Sequence, residues 1–280
     1  MENSIEIKGI SKKYAQFQLN DVSFSVPCGT VMGFIGENGA GKTTTIRAIL
    51  GLMKPDSGSI TVLGGEAGSL PADVKERIGV VFDGLAFPET LNAVQLDKVM
   101  SGIYKNWSSE TFFGFMDRFS LPLKKKFRTF SRGMEMRLSM AAALSHDPQL
   151  LVLDEPTSGL DPVMRSEILD ILLDFMQDET HSILISTHIT SDLEHIADYI
   201  TFIHKGRVVF TEDRNEMREK YRILKCTEED VQRMDKADII GMKKTRFTVE
   251  VLTAAADKYP DIVADVPSIE DIMVYYVKEG

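Results

Sequence analysis

Residues 36–43, with the sequence GENGAGKT, constrain the fold more than any other segment because they match the pattern G-x-x-x-x-G-K-[ST]. The apolar run TVMGFI precedes them, and TTTIRAILGLM follows with apolar residues at helical spacing. Gly36, Gly39 and Gly41 allow successive backbone N–H groups to point at phosphate oxygens, and a helix beginning near Lys42 adds the positive end of its dipole. The segment therefore predicts a strand, a phosphate-binding loop and a helix within an α/β fold.

The side chains of this segment predict how a nucleotide is held. Lys42 is expected to reach the β and γ phosphates, and the hydroxyl group of Thr43 is expected to bind Mg²⁺. Thr44 is expected to contact the α-phosphate, while Asn38 and Ala40 complete the cradle within the loop. The sequence thus predicts a site for a nucleoside triphosphate with Mg²⁺.

A second apolar run, QLLVLDE, ends in the acidic pair Asp154 and Glu155. Ligands of open α/β sheets collect at the carboxyl ends of strands, so we expect this pair to lie beside the phosphate loop. Taken alone, the pair would also fit a solvated strand end. Beside the loop, it predicts that Asp154 holds Mg²⁺ through a water molecule and that Glu155 acts on an attacking water as general base. The prediction therefore extends from binding to hydrolysis.

Composition and charge argue against several other classes of function. A formal net charge of −10 argues against a nucleic-acid partner, because neutralising phosphates requires a surplus of Lys and Arg. Only Cys28 and Cys226 occur, far apart in the sequence, so neither a disulfide framework nor a cysteine metal site is predicted. The polar start MENSIEIKGISKKY predicts no signal peptide, and no apolar run reaches the length of about 18 residues that a membrane span needs. These features favour the cytoplasm.

The remaining segments predict the architecture around the site. IEIKGI and QLNDVSFSV indicate antiparallel strands before the loop, and SILIST indicates a third buried strand after the helical stretch 162–177. This alternation of strand and helix predicts a parallel sheet, whereas helix-like segments at about 84–148 predict a helical insertion. Residues 197–210 are expected to form two strands around a Lys-Gly turn. We therefore assign residues 1–215 to one nucleotide-binding domain.

Residues 216–280 are predicted to form a small α+β accessory domain. They contain the strand-like run RFTVEVL and a final helix, SIEDIMVYYVK, in which Ser268 and Asp271 fit a capping box. The helix carries an apolar stripe, which we interpret as part of the core of the small domain: Ile269, Ile272, Met273 and Tyr276.

Further motifs follow along the chain in a characteristic order. FSRGM precedes the helical run MEMRLSMAAALSHDP, SGLD follows the acidic pair, and His188 follows the strand SILIST. Together with the glycine loop, these motifs resemble those of the nucleotide-binding subunits of ABC transporters, over residues 4 to about 210. The form of the FSRGM signature, with a C-terminal appendage, resembles the ABC-2 branch, which consists mostly of exporters. The resemblance implies a P-loop NTPase core with an antiparallel β subdomain and a helical subdomain.

The resemblance also implies roles for residues outside the glycine loop. Two subunits would face each other head to tail, so that Ser131 and Gly133 of one subunit meet the γ-phosphate bound by the other. Asp161 would lie in the family's D-loop. His188 would contact the γ-phosphate and the attacking water, and Tyr14 would stack on adenine.

Two motifs depart from the pattern of the family. Asp83 stands where the family usually has a Gln that contacts Mg²⁺, and the resemblance therefore assigns Asp83 to the metal or to its water. The signature has Arg132 and Met134 where Gly and Gln are commonest. Because Ser131 and Gly133 are retained, we expect altered tuning of the activity and not its loss.

The resemblance implies ATP as the nucleotide and separate integral-membrane permease subunits as partners. The protein would then lie on the inner face of the cell membrane. A homodimer and a heterodimer with a related subunit both fit, since one chain carries both the loop and the signature. Two other classes stay open: a soluble ABC ATPase that acts as a clamp on a non-transport partner, and a P-loop kinase.

Overall fold

Strands and helices alternate along residues 2–277, the part of the chain that the computed structural model describes. The strands are β1 (Asn3–Lys13), β2 (Gln18–Pro27), β3 (Val31–Ile35), β4 (Ser57–Val62), β5 (Gly65–Glu66), β6 (Ile78–Val81), β7 (Leu150–Asp154), β8 (Ser182–Thr187), β9 (Tyr199–His204), β10 (Arg207–Asp213), β11 (Arg222–Cys226), β12 (Gly241–Lys244), β13 (Val249–Thr253) and β14 (Ala264–Asp265). The helices are α1 (Lys42–Ile49), α2 (Ala72–Lys75), α3 (Ala93–Met100), α4 (Ser109–Arg118), α5 (Arg132–Leu144), α6 (Pro162–Phe175), α7 (Thr190–Ile196), α8 (Arg214–Lys220), α9 (Glu228–Arg233) and α10 (Ile269–Val277).

The central sheet has the strand order β10-β9-β3-β8-β7-β6 and is parallel apart from the β10–β9 pair. Every residue of β3, β7 and β8 is buried, which explains why these strands are apolar runs without alternation. Because the three strands run in the same direction, their carboxyl ends lie on one edge of the sheet. The predicted α/β fold with a parallel sheet is confirmed, and this edge carries the site described below.

The antiparallel strands form a second sheet, in the order β2-β1-β4-β5. Its apolar face shares a core with Ile46 and Ile49 of α1. The sequence pattern predicted that this helix would continue to Met53, but α1 ends at Ile49. Gly51 has φ +69° and turns the chain there, so the helix cannot continue.

The helical insertion is present as α3, α4 and α5, which pack against one side of the central sheet. Phe112 and Met116 of α4 and Phe127 are completely buried in this core. These aromatic residues of the insertion therefore serve packing. Within residues 2–277, we found no helix that is both long enough and apolar enough to span a membrane.

The C-terminal region has a third sheet, β12-β13-β11-β14, with a small core of its own around Leu224, Cys226 and Val251. The capping box predicted for α10 is present: the Asp271 N–H donates to Ser268 Oγ at 3.1 Å, and the Ser268 N–H donates to Asp271 Oδ2 at 3.0 Å. The helix was predicted to include Lys278, which lies outside the described residues. The boundary predicted at residue 215 falls inside α8, and the division into two domains stays a prediction.

The apolar stripe of α10 lies outside that small cluster. Ile269 and Ile272 are 5% and 2% exposed and join the main core cluster, together with Leu193 and Ile196 of α7. The same cluster includes Ile223 of β11 and Leu252 of β13, so α10 is buried between its own sheet and α7, and the core of the small domain is continuous there with that of the main domain. Sequence spacing identified the apolar face but not the surface that covers it.

A pair of tyrosines lies where the C-terminal region meets the main domain. The Tyr221 hydroxyl donates to Glu212 Oε1 at 3.0 Å and lies 3.1 Å from the hydroxyl oxygen of Tyr276. Burial raises the pKa of Tyr221 to about 12, so this phenol stays protonated and remains a hydrogen-bond donor at neutral pH.

We expect Ile272→Ala to lower the free energy of unfolding by about 2–5 kcal/mol, because it deletes a buried side chain that joins α10 to the main core. Val274→Ala on the same helix is the matched control, since Val274 is 37% exposed and its loss should cost about 0.5 kcal/mol. Urea denaturation followed by circular dichroism measures both. Equal losses in the two variants would contradict the packing of α10 described here.

Candidate nucleotide site

A cleft of about 350 Å³ opens at the carboxyl edge of the central sheet. Four chain segments form it: the turn between β1 and β2, the loop after β3 with the start of α1, the second residue after β6, and the acidic pair at the end of β7. The lining residues are Phe17, Glu37, Asn38, Gly39, Gly41, Lys42, Thr43, Thr44, Asp83, Asp154 and Glu155. The structure thus brings the glycine loop together with both predicted acids and with Asp83.

The glycine loop wraps tightly around the start of α1. A Cβ atom on Gly36 would lie 2.4 Å from the carbonyl oxygen of Ile203, so only glycine fits there. Gly41 has φ +117° and forms the N-cap of α1 without a side-chain hydrogen bond to the helix. Gly41 has no side chain that could accept hydrogen bonds from the first N–H groups of α1. These groups therefore remain available to phosphate oxygens.

Glu155 lies between two cationic or potentially cationic groups. Lys42 Nζ is 3.2 Å from Glu155 Oε1, and His188 Nδ1 is 2.7 Å from Glu155 Oε2. Lys42 is only 6% exposed and also donates to the carbonyl oxygen of Gly36 at 2.8 Å. The three residues that we predicted to be catalytic are therefore in direct contact, and each oxygen of the Glu155 carboxylate has its own partner.

The backbone conformation points the side chains of Asp154 and Glu155 in different directions. Asp154 is the last residue of β7 and is 2% exposed, whereas Glu155 has φ +54°, in the left-handed region. Such a conformation costs a non-glycine residue about 1–3 kcal/mol and is concentrated at functional sites. The turn directs Glu155 towards Lys42 and His188, while Asp154 stays in the sheet edge.

Ser186 is a residue of the site that sequence reasoning missed. Its Oγ donates to Asp154 Oδ1 at 2.5 Å, because Asp154 and Ser186 are paired in register on β7 and β8. The hydroxyl group fixes the orientation of the buried carboxylate. The signal was present as a polar residue that follows three consecutive apolar residues near the carboxyl end of SILIST.

Phe17 is a second missed residue. It lines the cleft, and its ring would lie 2.9 Å from a Cβ atom at position 41. Tyr14, which we predicted to stack on adenine, is 45% exposed and stacks on Phe17 with the ring centroids 6.5 Å apart. The two rings form one aromatic surface beside the loop, and the stacking of Tyr14 on adenine stays a prediction.

The other predicted residues lie away from this cleft. Among the described residues that line it, Ser131, Gly133 and Asp161 do not occur. Ser131 is the N-cap of α5, where its Oγ accepts from the Met134 N–H at 3.4 Å. Asp161 is the N-cap of α6 and accepts from two backbone N–H groups at 3.0 Å each. One chain therefore does not bring its signature onto its own loop, and the roles of these three residues stay predictions.

The donors in the cleft suit a hard divalent cation. Thr43 contributes a hydroxyl group, and Asp154 and Asp83 contribute carboxylates. Within residues 2–277, no group of three or more His, Cys, Asp or Glu side chains could hold a metal ion. Mg²⁺ fits such a site, because it is commonly bound by one or two carboxylates together with water and substrate phosphates.

Comparisons with known proteins agree with this geometry. A family model described as "ABC transporter" matches residues 19–158. The chain is 35% identical over 213 residues to the bacitracin transport ATP-binding protein BcrA of Bacillus licheniformis, covering 75% of this chain and 69% of that protein. It is 37% identical over 216 residues to the Nod factor export ATP-binding protein I of Rhizobium leguminosarum bv. viciae, with coverage of 74% and 68%.

A solved structure of an ATP-binding subunit of an ABC transporter superposes with a TM-score of 0.69 at 28% sequence identity, covering 77% of this chain and 92% of that one. The family implied by the motifs of the sequence is thereby confirmed, and the α/β architecture agrees with it. The chain belongs to the ABC transporter family, as one of its ATP-binding ATPase subunits.

Proposed function

We propose that this ATP-binding subunit hydrolyses Mg·ATP in the cleft and powers export through separate membrane permease subunits. The observation that carries the proposal is the contact of Glu155 with both Lys42 and His188 above the glycine loop. A general base, a phosphate-binding cation and a histidine that can reach the γ-phosphate are the groups that this hydrolysis needs.

Binding of ATP would exchange the partners of Lys42. Its ammonium group now donates to the Gly36 carbonyl and lies against Glu155, and phosphate oxygens would take over these contacts. One oxygen of Glu155 is then free to accept a proton from the attacking water, while His188 orients the other. Substrate binding thereby prepares the base.

The residues that would hold Mg²⁺ are Thr43 directly, Asp154 through water, and Asp83 directly or through water. Bound there, the ion would neutralise charge on the β and γ phosphates. Ser186 supports this arrangement, since it holds the Asp154 carboxylate at the edge of the sheet.

A second subunit would complete the γ-phosphate site. Ser131 and Gly133 begin α5, outside the cleft formed by the same chain, so they are available to a loop on another copy. The Ser131 hydroxyl, the Gly133 N–H and the start of α5 would then donate to the γ-phosphate. Asp161 would lie in the same interface, and Tyr14 would stack on adenine beside Phe17.

The proposal of export and of membrane attachment is based on the similarity to transport proteins. BcrA is a transport protein and the Rhizobium protein is an export protein by name, which favours this proposal over a soluble clamp or a kinase. The permease subunits would hold the protein on the inner face of the cell membrane. They would also select the cargo, because the residues of this cleft are matched to a nucleotide.

We expect Ser131→Arg to lower the ATPase rate by about 10²-fold or more, since it replaces a γ-phosphate donor with a bulky side chain at the subunit interface. Binding of ATP by a single chain should be retained. Phosphate release and binding of a fluorescent ATP analogue measure the two properties, and Ser101→Arg on the exposed end of α3 is the control. An unchanged ATPase rate would contradict the two-subunit site and reopen the kinase interpretation.

A further inference from the structure

Asp83 and Arg132, two of the residues that depart from the pattern of the family, contact each other. Arg132 Nη2 donates to Asp83 Oδ1 at 2.6 Å and lies 3.5 Å from Ser158 Oγ. The guanidinium group also covers Gly159, whose Cβ, if present, would lie 3.3 Å from it. A single side chain at the start of α5 therefore holds the segment after β6 and the loop after β7.

This ion pair lies at the border of the cleft. Asp83 lines the cleft together with Thr43 and Asp154, and the Asp83 and Arg132 side chains are 49% and 50% exposed. Water reaches both groups, so the pair is weak enough to be exchanged. A carboxylate is also the type of ligand that Mg²⁺ prefers, and the arginine occupies one of its two oxygens.

We propose that Arg132 is a positioning residue that withholds Asp83 from the metal until Mg·ATP enters, so that metal binding releases the start of α5. The inference rests on the proposed function, because it needs a divalent ion at Thr43 and Asp154. Coupling of this kind is reciprocal: whatever the ion pair contributes to holding α5 opposes metal binding by the same factor.

The position of Arg132 in the signature links this coupling to the closure of two subunits. It lies between Ser131 and Gly133, the residues that the proposed function assigns to the γ-phosphate site of the second subunit. The contact of Arg132 with Asp83 restrains the start of α5, and with it Ser131 and Gly133, against the segment after β6 of the same chain. Release of the pair by the metal would free them at the moment when ATP is in place, so closure of two subunits would follow Mg·ATP and not ATP alone.

The test measures binding of Mn²⁺, a paramagnetic substitute for Mg²⁺, to the full chain with saturating ATP by electron paramagnetic resonance. We expect Arg132→Met to tighten Mn²⁺ binding about two- to five-fold, the factor that corresponds to a half-exposed ion pair. Asp83→Ala should weaken binding, and Arg132→Met should then have no further effect. Arg118→Met is the control, since it removes the half-exposed contact of Arg118 with Asp174 at 4.0 Å, away from the cleft.

Unchanged or weaker Mn²⁺ binding in Arg132→Met would overturn the inference while leaving the proposed function intact. An equal gain in the Asp83→Ala background would also overturn it, since the effect would not pass through this carboxylate. Absence of Mn²⁺ binding to the wild-type protein with ATP would overturn both the inference and the metal role in the proposed function.

Discussion

Glu155→Gln is expected to lower the rate of ATP hydrolysis by about 10²–10⁴-fold while ATP binding is retained. The amide cannot accept a proton from the attacking water, but it keeps the size and the hydrogen-bonding capacity of the carboxylate towards Lys42. His188 loses the carboxylate oxygen that lies 2.7 Å from its Nδ1, which removes a further contribution to the orientation of the water. Phosphate release at saturating Mg·ATP measures the effect.

The same variant should reveal the assembly. Since ATP is bound but not consumed, the closed state should accumulate, and the mass in solution should shift from monomer to dimer only when Mg·ATP is present. Glu110→Gln, at an exposed position of α4, is the control and should hydrolyse ATP at the normal rate. Normal hydrolysis by Glu155→Gln would refute the role of general base. ATP binding without a shift in mass would refute the homodimer and indicate closure with a different partner.

Lys42→Met is expected to weaken ATP binding by about 10²–10³-fold, which corresponds to about 3–4 kcal/mol for a charged group that is removed from a buried pair. Met keeps an unbranched apolar side chain of similar length, so the loss reports the removal of the ammonium group. Without ATP, the variant leaves Glu155 Oε1 without the cation that lies 3.2 Å away. The free energy of unfolding of the nucleotide-free protein should therefore fall as well.

Isothermal titration calorimetry with ATP measures the affinity, and urea denaturation without nucleotide measures the stability. Lys54→Met is the matched control, because Lys54 is exposed and lies in the turn that follows α1. An ATP affinity within about three-fold of the wild-type value would contradict the role of Lys42 as the main cation of the loop.

The amino-acid sequence by itself predicted the parts of this protein that depend on neighbouring residues. The glycine loop, its flanking strand and helix, and the acidic pair at a strand end follow from local spacing and from the conformational freedom of glycine. The capping box of α10 follows from a hydrogen-bond pattern four residues long. The alternation of strand and helix predicted a parallel sheet, and hence that the loop and the acids lie on one edge.

Contacts between residues distant in the sequence depend on the three-dimensional fold. Ser186 reaches Asp154 across 32 positions, Arg132 reaches Asp83 across 49, and α10 packs on α7 as well as on its own small sheet. Sheet order and the direction in which helices pack determine these contacts, and a local pattern of apolar and polar residues is the same for every possible partner. The local sequence therefore identified the residues that would bind and hydrolyse the nucleotide. The fold determined which other side chains position those residues.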